Sequence, residues 1–551
     1  MALIQRVDFN KNAPSIMKKI KYGENWPVVY LINNDDEMYV GETVNVSVRT
    51  SQHLKNPDRQ KLTSITVISD DDFNKSVVLD LEAHLISYMS ADGKYKLQNS
   101  TMGMQLHNYY NREVYERSFS QIWNQLKEQN LATNTIHYIE NSDIFKYSPY
   151  KSLGLDQYKV IDEVIQNLVD AHEAGKGTTS IVMGGAGTGK TVLAVYLMKL
   201  FAERNAGMLV DTSDMDPGLE YIIDNLNRLP EMKIGLVVPM QSLRSTISKV
   251  FKGIHGLQTK MVISPIQVPK EEYDLLIVDE AHRLRQRKAL AQYPTFDKNN
   301  KELGFDNSGT ELDWILKCSK NQIFFYDSEQ SIKPSDIDKE RFDKLIVEEN
   351  TKVFMLESQF RCKGGNDYID YIKAVLSDEP PVESKSFGNY DIKLFDDVTE
   401  MINAIKNKDK EVGLCRTVAG YSWKWQSKND ATVNDIIIGV TELKWNSVNK
   451  DWVNSENSLN EIGCIHTIQG YDLNYAGVIF GNEIKYDPNS NQIIIDKSEY
   501  HDMQGKTALK DGEELKDYIL NIYRTLMTRG IRGTYVYVCD DELMKYLSTF
   551  I

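Results

Sequence analysis

Eight consecutive residues, Gly184-Gly185-Ala186-Gly187-Thr188-Gly189-Lys190-Thr191, combine what is needed to hold a polyphosphate. Glycines let backbone N–H groups approach an anion closely, the lysine reaches the outer phosphates, and the threonine hydroxyl can enter the shell of a metal ion. The apolar run 180–183 before them reads as a strand, and the Leu-, Ala- and Met-rich stretch 192–203 after them as a helix, which is the setting a P-loop requires. The cofactors implied are ATP and Mg²⁺, or Mn²⁺. Further on, an apolar strand over 273–278 ends in Asp279-Glu280-Ala281-His282. Asp279 is expected to bind the metal through water, together with Thr191, and Glu280 to polarise the attacking water.

A second group of reactive side chains precedes the first. Strands at 28–32 and 38–41 flank the polar run Asn33-Asn34-Asp35-Asp36, a hairpin signal. With the turn centred on Asn34-Asp35, Tyr30 lies opposite Tyr39 and both phenols leave one face. The segment 44–54 reads as a helix that puts Arg49 and His53 one turn apart. An amphipathic helix over 76–89 turns Val78, Leu81, Leu85 and Met89 inward and leaves Glu82 at the edge of that stripe. These residue types suit phosphodiester hydrolysis. The Glu82 carboxylate holds a divalent metal, Arg49 offsets developing negative charge, and a phenol orients or deprotonates water.

The elements that must position these groups fall into three stretches. A short αβ unit ends near residue 126, a polar connector occupies about 130–149, and a long αβ alternation follows. Strands at 180–183, 234–238, 275–278 and 322–326 alternate with helical patterns, as in a parallel sheet covered on both faces, and a second such set follows Lys352. Polar insertions at 285–309 and 421–461 show no usable periodicity. The expected fold class is α/β, divided as a front unit 1–130, a linker 131–149, a first lobe 150–345 and a second lobe 346–551.

Composition narrows the function. At 551 residues the chain needs several domains, and its 41% hydrophobic and 26% charged residues are ordinary for a globular protein. A net charge of −15 argues against a nucleic-acid-coating protein, so any strand must meet a local basic groove. Cys318, Cys362, Cys415, Cys464 and Cys539 form no close pair, and they read as reduced thiols. No signal peptide or membrane-spanning run is seen, so cytoplasm is the expected compartment, with no membrane partner.

Taken in order, the long alternation resembles superfamily 1 helicases, and within them the Schlafen-like helicase family found in bacteria. The resemblance implies two RecA-like lobes. It assigns adenine reading to Gln157 and strand contact to Ser242 and Arg244 in 235–244. Gln330, at the end of 324–330, would couple the γ-phosphate to the strand. In the second lobe it assigns a γ-phosphate arginine to Arg361 in Gln359-Phe360-Arg361, and strand contact to His466 in a motif that reaches Gly470. Arg529 would be the second arginine finger. The front unit resembles the GIY-YIG nuclease family: Val28-Val29-Tyr30 and Tyr39-Val40-Gly41 stand for its two signature strands, with Arg49, Glu82 and Asn99 in the later places and His53 as in some restriction-type members. Together the resemblances imply an ATP-dependent nuclease–helicase acting on nucleic acid, DNA rather than RNA, in a setting of anti-phage defence or restriction. The alternatives are a remodelling motor whose front unit only docks DNA, and an RNA-targeting nuclease. Trp423, Lys424 and Trp425 read as packing, with stacking on bases as the alternative.

Overall fold

The computed structural model describes residues 2–99, 112–150, 153–185, 187–207, 217–288, 290, 293–328, 330, 335–358, 362–430, 432–448, 451–468, 471–502 and 512–551. In the front unit, β1 (Leu3–Asp8), β2 (Val28–Asn33), β3 (Glu37–Thr43), β4 (Ser64–Ser69) and β5 (Lys96–Leu97) form a sheet in the order β1-β4-β2-β3-β5. Alternation along β2 splits its side chains between two apolar layers. Val29 and Leu31 pack with Val78, Leu85 and Met89 of the helix Lys75–Asp92, whereas Val28, Tyr30 and Ile32 pack with Val46 of the helix Val46–His53. Asn45 and Asn74 cap these helices by accepting from Val48 N and Val77 N, each at 3.1 Å.

The hairpin register differs from expectation. Tyr30 pairs with Gly41 and Ile32 with Tyr39, because Asn34 Oδ1 accepts from Asp36 N at 2.9 Å and Glu37 N at 2.6 Å and carries the turn one residue further. A shift of two in partner number preserves parity, so Tyr30 and Tyr39 still share a face.

The first lobe holds six parallel strands: β6 (Thr179–Gly184), β7 (Ile234–Val237), β8 (Val262–Ile263), β9 (Tyr273–Val278), β10 (Ser319–Tyr326) and β11 (Thr351–Leu356), ordered β11-β6-β10-β9-β7-β8. The strand β11, expected in the second lobe beyond residue 346, instead pairs along β6, so this sheet runs to Leu356. Adjacency to the P-loop strand decides its place, and sequence order does not reveal that. The helix Leu155–Glu173 and the P-loop helix Lys190–Asn205 cover one face.

The second lobe is built on β12 (Asp391–Leu394), β13 (Cys415–Ala419), β14 (Ile436–Ile438), β15 (Thr441–Trp445), β16 (Glu461–Gly463), β17 (Leu473–Phe480) and β20 (Gly530–Val538), in the order β12-β20-β17-β13-β16-β15-β14, with a separate hairpin of β18 (Ile484–Asp487) and β19 (Gln492–Ile495). Only the β14–β15 pairing in the seven-stranded sheet is antiparallel. The insertion 421–461 thus supplies two strands to the sheet, β14 and β15, and the insertion 285–309 contains the helix Tyr293–Glu302.

The expected linker is part of the packed interior. It carries the helices Ile136–Asn141 and Asp143–Lys146, and Leu131, Ile139 and Tyr147 are buried in a core cluster running from β2 through the helix Lys75–Asp92 to Leu193, Leu197 and Leu200 of the P-loop helix. It also touches the second lobe, where Asn141 Nδ2 donates to Val412 O at 3.1 Å and Lys146 Nζ to Asp472 O at 3.2 Å. The front unit and first lobe therefore share one interior. Among the described residues no helix is long and apolar enough to cross a membrane.

One buried acid in the second lobe makes a testable contribution to stability. Glu483 accepts from the Tyr523 hydroxyl at 2.7 Å, its Oε2 has no hydrogen-bond partner, and burial pushes its carboxyl up to about 6. The folded state thus holds the proton more tightly than the unfolded chain, so stability present below about pH 4.5 is lost as pH rises through about 6. The loss is about 2 kcal/mol. Denaturant unfolding at pH 4.5 and pH 7 is expected to show that loss in the parent and not in Glu483→Gln; an equal response of the two proteins would show that Glu483 ionises freely.

Candidate functional site

The front unit gathers its reactive groups where β2, β3 and the helix Val46–His53 meet. The Tyr30 hydroxyl lies 2.8 Å from His53 Nε2 and accepts from Arg49 Nε at 3.3 Å. The Tyr39 ring centroid is 6.3 Å from that of Tyr30 and 5.0 Å from the His53 ring. Two further residues join the site. The Arg59 guanidinium lies over the Tyr39 ring at 3.9 Å and donates to Gln98 Oε1, and Glu42 follows Gly41 on β3. Arg59 had no periodic signal to announce it, since it ends the short turn Pro57–Arg59. The proline-led turn before a basic residue was the available clue.

Gly41 makes the arrangement possible. A Cβ there would meet the Tyr30 hydroxyl at 2.3 Å, so the phenol lies directly across the glycine backbone. Gly41→Ala is expected to push the phenol off His53 and to cost about 1–3 kcal/mol through overpacking, measured by denaturant unfolding. Unchanged stability would show that the ring is free to move aside.

Glu82 reaches this site from the helix Lys75–Asp92. Burial, and then the neighbouring Glu42 charge, push its carboxyl up to about 8, while Lys75 and Arg49 oppose the shift. Glu42 is ion-paired with Lys75, and its other oxygen, Oε2, is buried without a hydrogen-bond partner. Neighbouring carboxyls with an unsatisfied buried oxygen fit a Mg²⁺-sized ion, which characteristically takes one or two protein carboxylates and fills its shell with water and phosphate oxygens. Among the described residues no three His, Cys, Asp or Glu side chains cluster into a fuller metal cage. Burial also raises the Tyr30 phenol well above its usual value and raises that of Tyr39, so both keep their protons at neutral pH. That removes the deprotonating role expected of a phenol. Asn99 sits one layer behind: its Oδ1 accepts from Val40 N at 3.0 Å and its Nδ2 donates to Val40 O at 2.8 Å, so it positions β3 and does not face the phenols with its amide.

The second group assembles at the end of β6. Gly187 and Gly189 have φ of +86° and +82°, a left-handed backbone that side chains disfavour and the loop requires. Lys190 Nζ donates to Gly184 O at 2.6 Å and Gly185 O at 2.8 Å and pairs with Asp327 at 3.2 Å, and Gln330 Nε2 donates to the same carboxylate at 2.6 Å. Gln157 caps its own helix by accepting from Gly154 N and donates to Thr188 O, both at 2.9 Å, so its amide holds the loop backbone.

Asp279, at the end of β9, is buried with neither oxygen in a hydrogen bond. Burial and the Glu280 charge raise its carboxyl, with Thr191 and Lys190 opposing. An orphaned buried carboxylate facing the P-loop threonine and lysine fits a Mg²⁺ ion. Glu280 has φ +52°, strained for a glutamate, and its Oε2 is 3.0 Å from His282 Nε2. Burial pushes Glu280 up, but His282, Lys190 and Arg283 outweigh it and leave the carboxyl well below its usual range.

The remaining expected residues stand on separate elements. Arg244 Nη1 donates to Val238 O at 2.7 Å and Pro239 O at 3.3 Å, bracing the loop after β7, and Ser242 is half-buried on the same helix, Gln241–Gly253. The His466 ring is 5.8 Å from that of Tyr421, and Arg529 is buried where the helix Gly512–Met527 turns into β20. Ala186, Arg361 and Gly470 lie outside the described residues.

An uncharacterized Saccharomyces cerevisiae protein, YPL245W, is 29% identical over 404 residues, 67% of this chain and 83% of its own length. Among solved structures, an arterivirus nonstructural protein 10 helicase is 13% identical with a TM-score of 0.29, covering 71% of this chain and 64% of its own. A Bacteroides Pif1 bound to ssDNA is 11% identical with a TM-score of 0.26, covering 70% and 93%. Residues 178–540, from the strand before the P-loop to the end of the second sheet, match the family described as Schlafen group 3, DNA/RNA helicase domain. By that match, which takes in both lobes and gives them the character of a helicase ATPase, the chain belongs to Schlafen group 3.

Proposed function

We propose that the chain is an ATP-driven nuclease in which two RecA-like lobes hydrolyse ATP to engage or move along nucleic acid and a GIY-YIG-like front unit cuts it. The observation that supports this reading best is the Arg49–Tyr30–His53 hydrogen-bond chain, with Glu82 beside it, in a unit that shares its interior with the P-loop helix. The Tyr30 oxygen accepts from Arg49 and lies 2.8 Å from His53 Nε2, so phenol and imidazole hold one another in place for proton transfer beside the phosphate. Arg49 and Arg59 supply fixed positive charge for a phosphate under attack. A divalent ion held by Glu82 would add Lewis-acid charge at a phosphate oxygen.

In the motor, Lys190 and the loop N–H groups hold the terminal phosphates, and Asp279 with Thr191 would hold Mg²⁺. Glu280, kept ionised by His282, accepts a hydrogen bond from the attacking water. Arg361 and Arg529 act as the arginines of the second lobe, and Ser242, Arg244 and His466 as strand contacts. Joining cutter to motor raises the effective concentration of the cutting site near an engaged strand. Foreign nucleic acid is the target class this design suits, with DNA favoured over RNA. Purified protein incubated with labelled single-stranded DNA, duplex DNA and RNA, with and without ATP and Mg²⁺ or Mn²⁺, tests the reading. Metal-dependent cleavage is expected, and its absence on every substrate would leave a remodelling motor.

A further inference from the structure

The pairing of β5 with β3 ends at Leu97, opposite Met38, and Gln98 N adds one more bond to Met38 O at 2.8 Å. Two residues further along β3 the strand β5 no longer reaches, and the Asn99 amide, bonded to both Val40 N and Val40 O, takes its place. Val40 stands between Tyr39 and Gly41, so this one side chain fixes the lateral position of the stretch that carries one phenol and lies under the other. Asn99 is held from behind in turn. Its carbonyl accepts from the Tyr150 hydroxyl at 3.2 Å, and Tyr150 is only 1% exposed. The Lys199 ammonium of the P-loop helix lies 4.9 Å from the Tyr150 ring centroid, and Lys199 is itself buried and ion-paired with Glu203. A buried cation is attracted to an aromatic ring, which seats the phenol against the helix that starts at the phosphate site.

We propose that Tyr150 is a positioning residue for strand cleavage, a reading that rests on the front-unit nuclease proposed above: acting through Asn99, its hydroxyl keeps β3 where Tyr39, Gly41 and the Tyr30–His53 pair line up. Its part is mechanical, with no proton or bond exchanged at Tyr150. Hydrolysis depends steeply on placement, and an error of about 1 Å introduced far from the chemistry costs on the order of a hundredfold in rate. Without the hydroxyl the Asn99 carbonyl loses its anchor, and the segment after β5 that carries the amide is free to shift along Val40. The ring itself stays, because its seat against the P-loop helix does not need the oxygen. The first lobe thereby supplies part of the alignment of the cutting site, and the effect of losing it falls on the rate of cutting and not on ATP turnover.

Tyr150→Phe in the full chain tests the proposal, assayed with ATP and Mn²⁺ on whichever of labelled single-stranded DNA, duplex DNA and RNA the parent cuts. The kcat for cleavage is expected to fall about tenfold, with KM and ATP turnover within about twofold of the parent's. Asn99→Leu, close in size but without either bond to Val40, is expected to lose at least as much. Adding Tyr150→Phe to it is expected to lower kcat by less than about twofold further, because residues that act through one contact do not add. Separate losses of stability would add, so this coupling is a result that a merely structural role does not produce. Parent-level kcat in Tyr150→Phe, a fall in ATP turnover alongside cleavage, or additive effects in the double variant overturns the role of Tyr150. Should Tyr150→Phe not fold, parent-level kcat in Asn99→Leu overturns it equally. Absence of cleavage by the parent on every substrate overturns instead the nuclease reading beneath it.

Discussion

Alanine in place of Lys190 is expected to reduce ATP turnover by at least about a hundredfold, the scale on which removal of one preorganised charge from a phosphoryl-transfer site is felt. Lys190 is buried at the start of the P-loop helix and bridges two loop carbonyls to Asp327. Its charge also acts on Asp279 and Glu280, so its loss strikes the phosphate site and the acidic pair together. The surrounding structure keeps other supports, since Gln330 still holds Asp327 and Gln157 still holds Thr188. Turnover is therefore expected to vanish without collapse of the lobe, as read by phosphate release alongside thermal unfolding. A folded variant that hydrolyses ATP at the parent rate would overturn the assignment of this loop.

Glu82→Ala is expected to lower metal-dependent strand cleavage about a thousandfold or more, the consequence of losing several kcal/mol of charge stabilisation, with ATP turnover unchanged. The variant is informative because the carboxyl is buried beside Glu42, an environment that already disfavours its charge. Raised to about 8, the carboxyl carries little charge at neutral pH without a bound ion, so its removal leaves no partner charge stranded and the front unit is not expected to lose stability. Cleavage of labelled substrate and ATP hydrolysis should be measured on the same preparation. Persisting cleavage rejects the role of Glu82 in holding the ion.

Much of this arrangement was legible before any coordinates. The P-loop and the acidic end of β9 announce themselves because phosphate and metal chemistry demands fixed residue types at fixed spacing. The front constellation was legible through parity: helical spacing placed Arg49 with His53, and strand alternation placed Tyr30 with Tyr39, although the register was misjudged by two. That error was physical in origin, since the Asn34 side chain builds its own turn with Asp36 and Glu37. Arg59 over Tyr39 and Asn99 behind Val40 are contacts between segments distant in sequence, which no local period encodes. The same holds for β11, whose partner β6 is separated from it in sequence by four strands of the same sheet, β7 to β10. Burial raises the Tyr30 phenol further above its usual value, an effect of tertiary packing that spacing alone does not reveal.

The helix that begins at Lys190 also bears, on its inward flank, the Lys199–Glu203 pair against which Tyr150 lies, and the Tyr150 hydroxyl reaches the Asn99 carbonyl at 3.2 Å. Front unit and first lobe are thus not detachable cassettes. Trimming the chain at the connector would strip hydrocarbon cladding from the P-loop lobe itself, and grafting the front unit onto another protein would leave its rear wall wet. Heat is expected to melt the two in concert, so each half inherits the other's lesions.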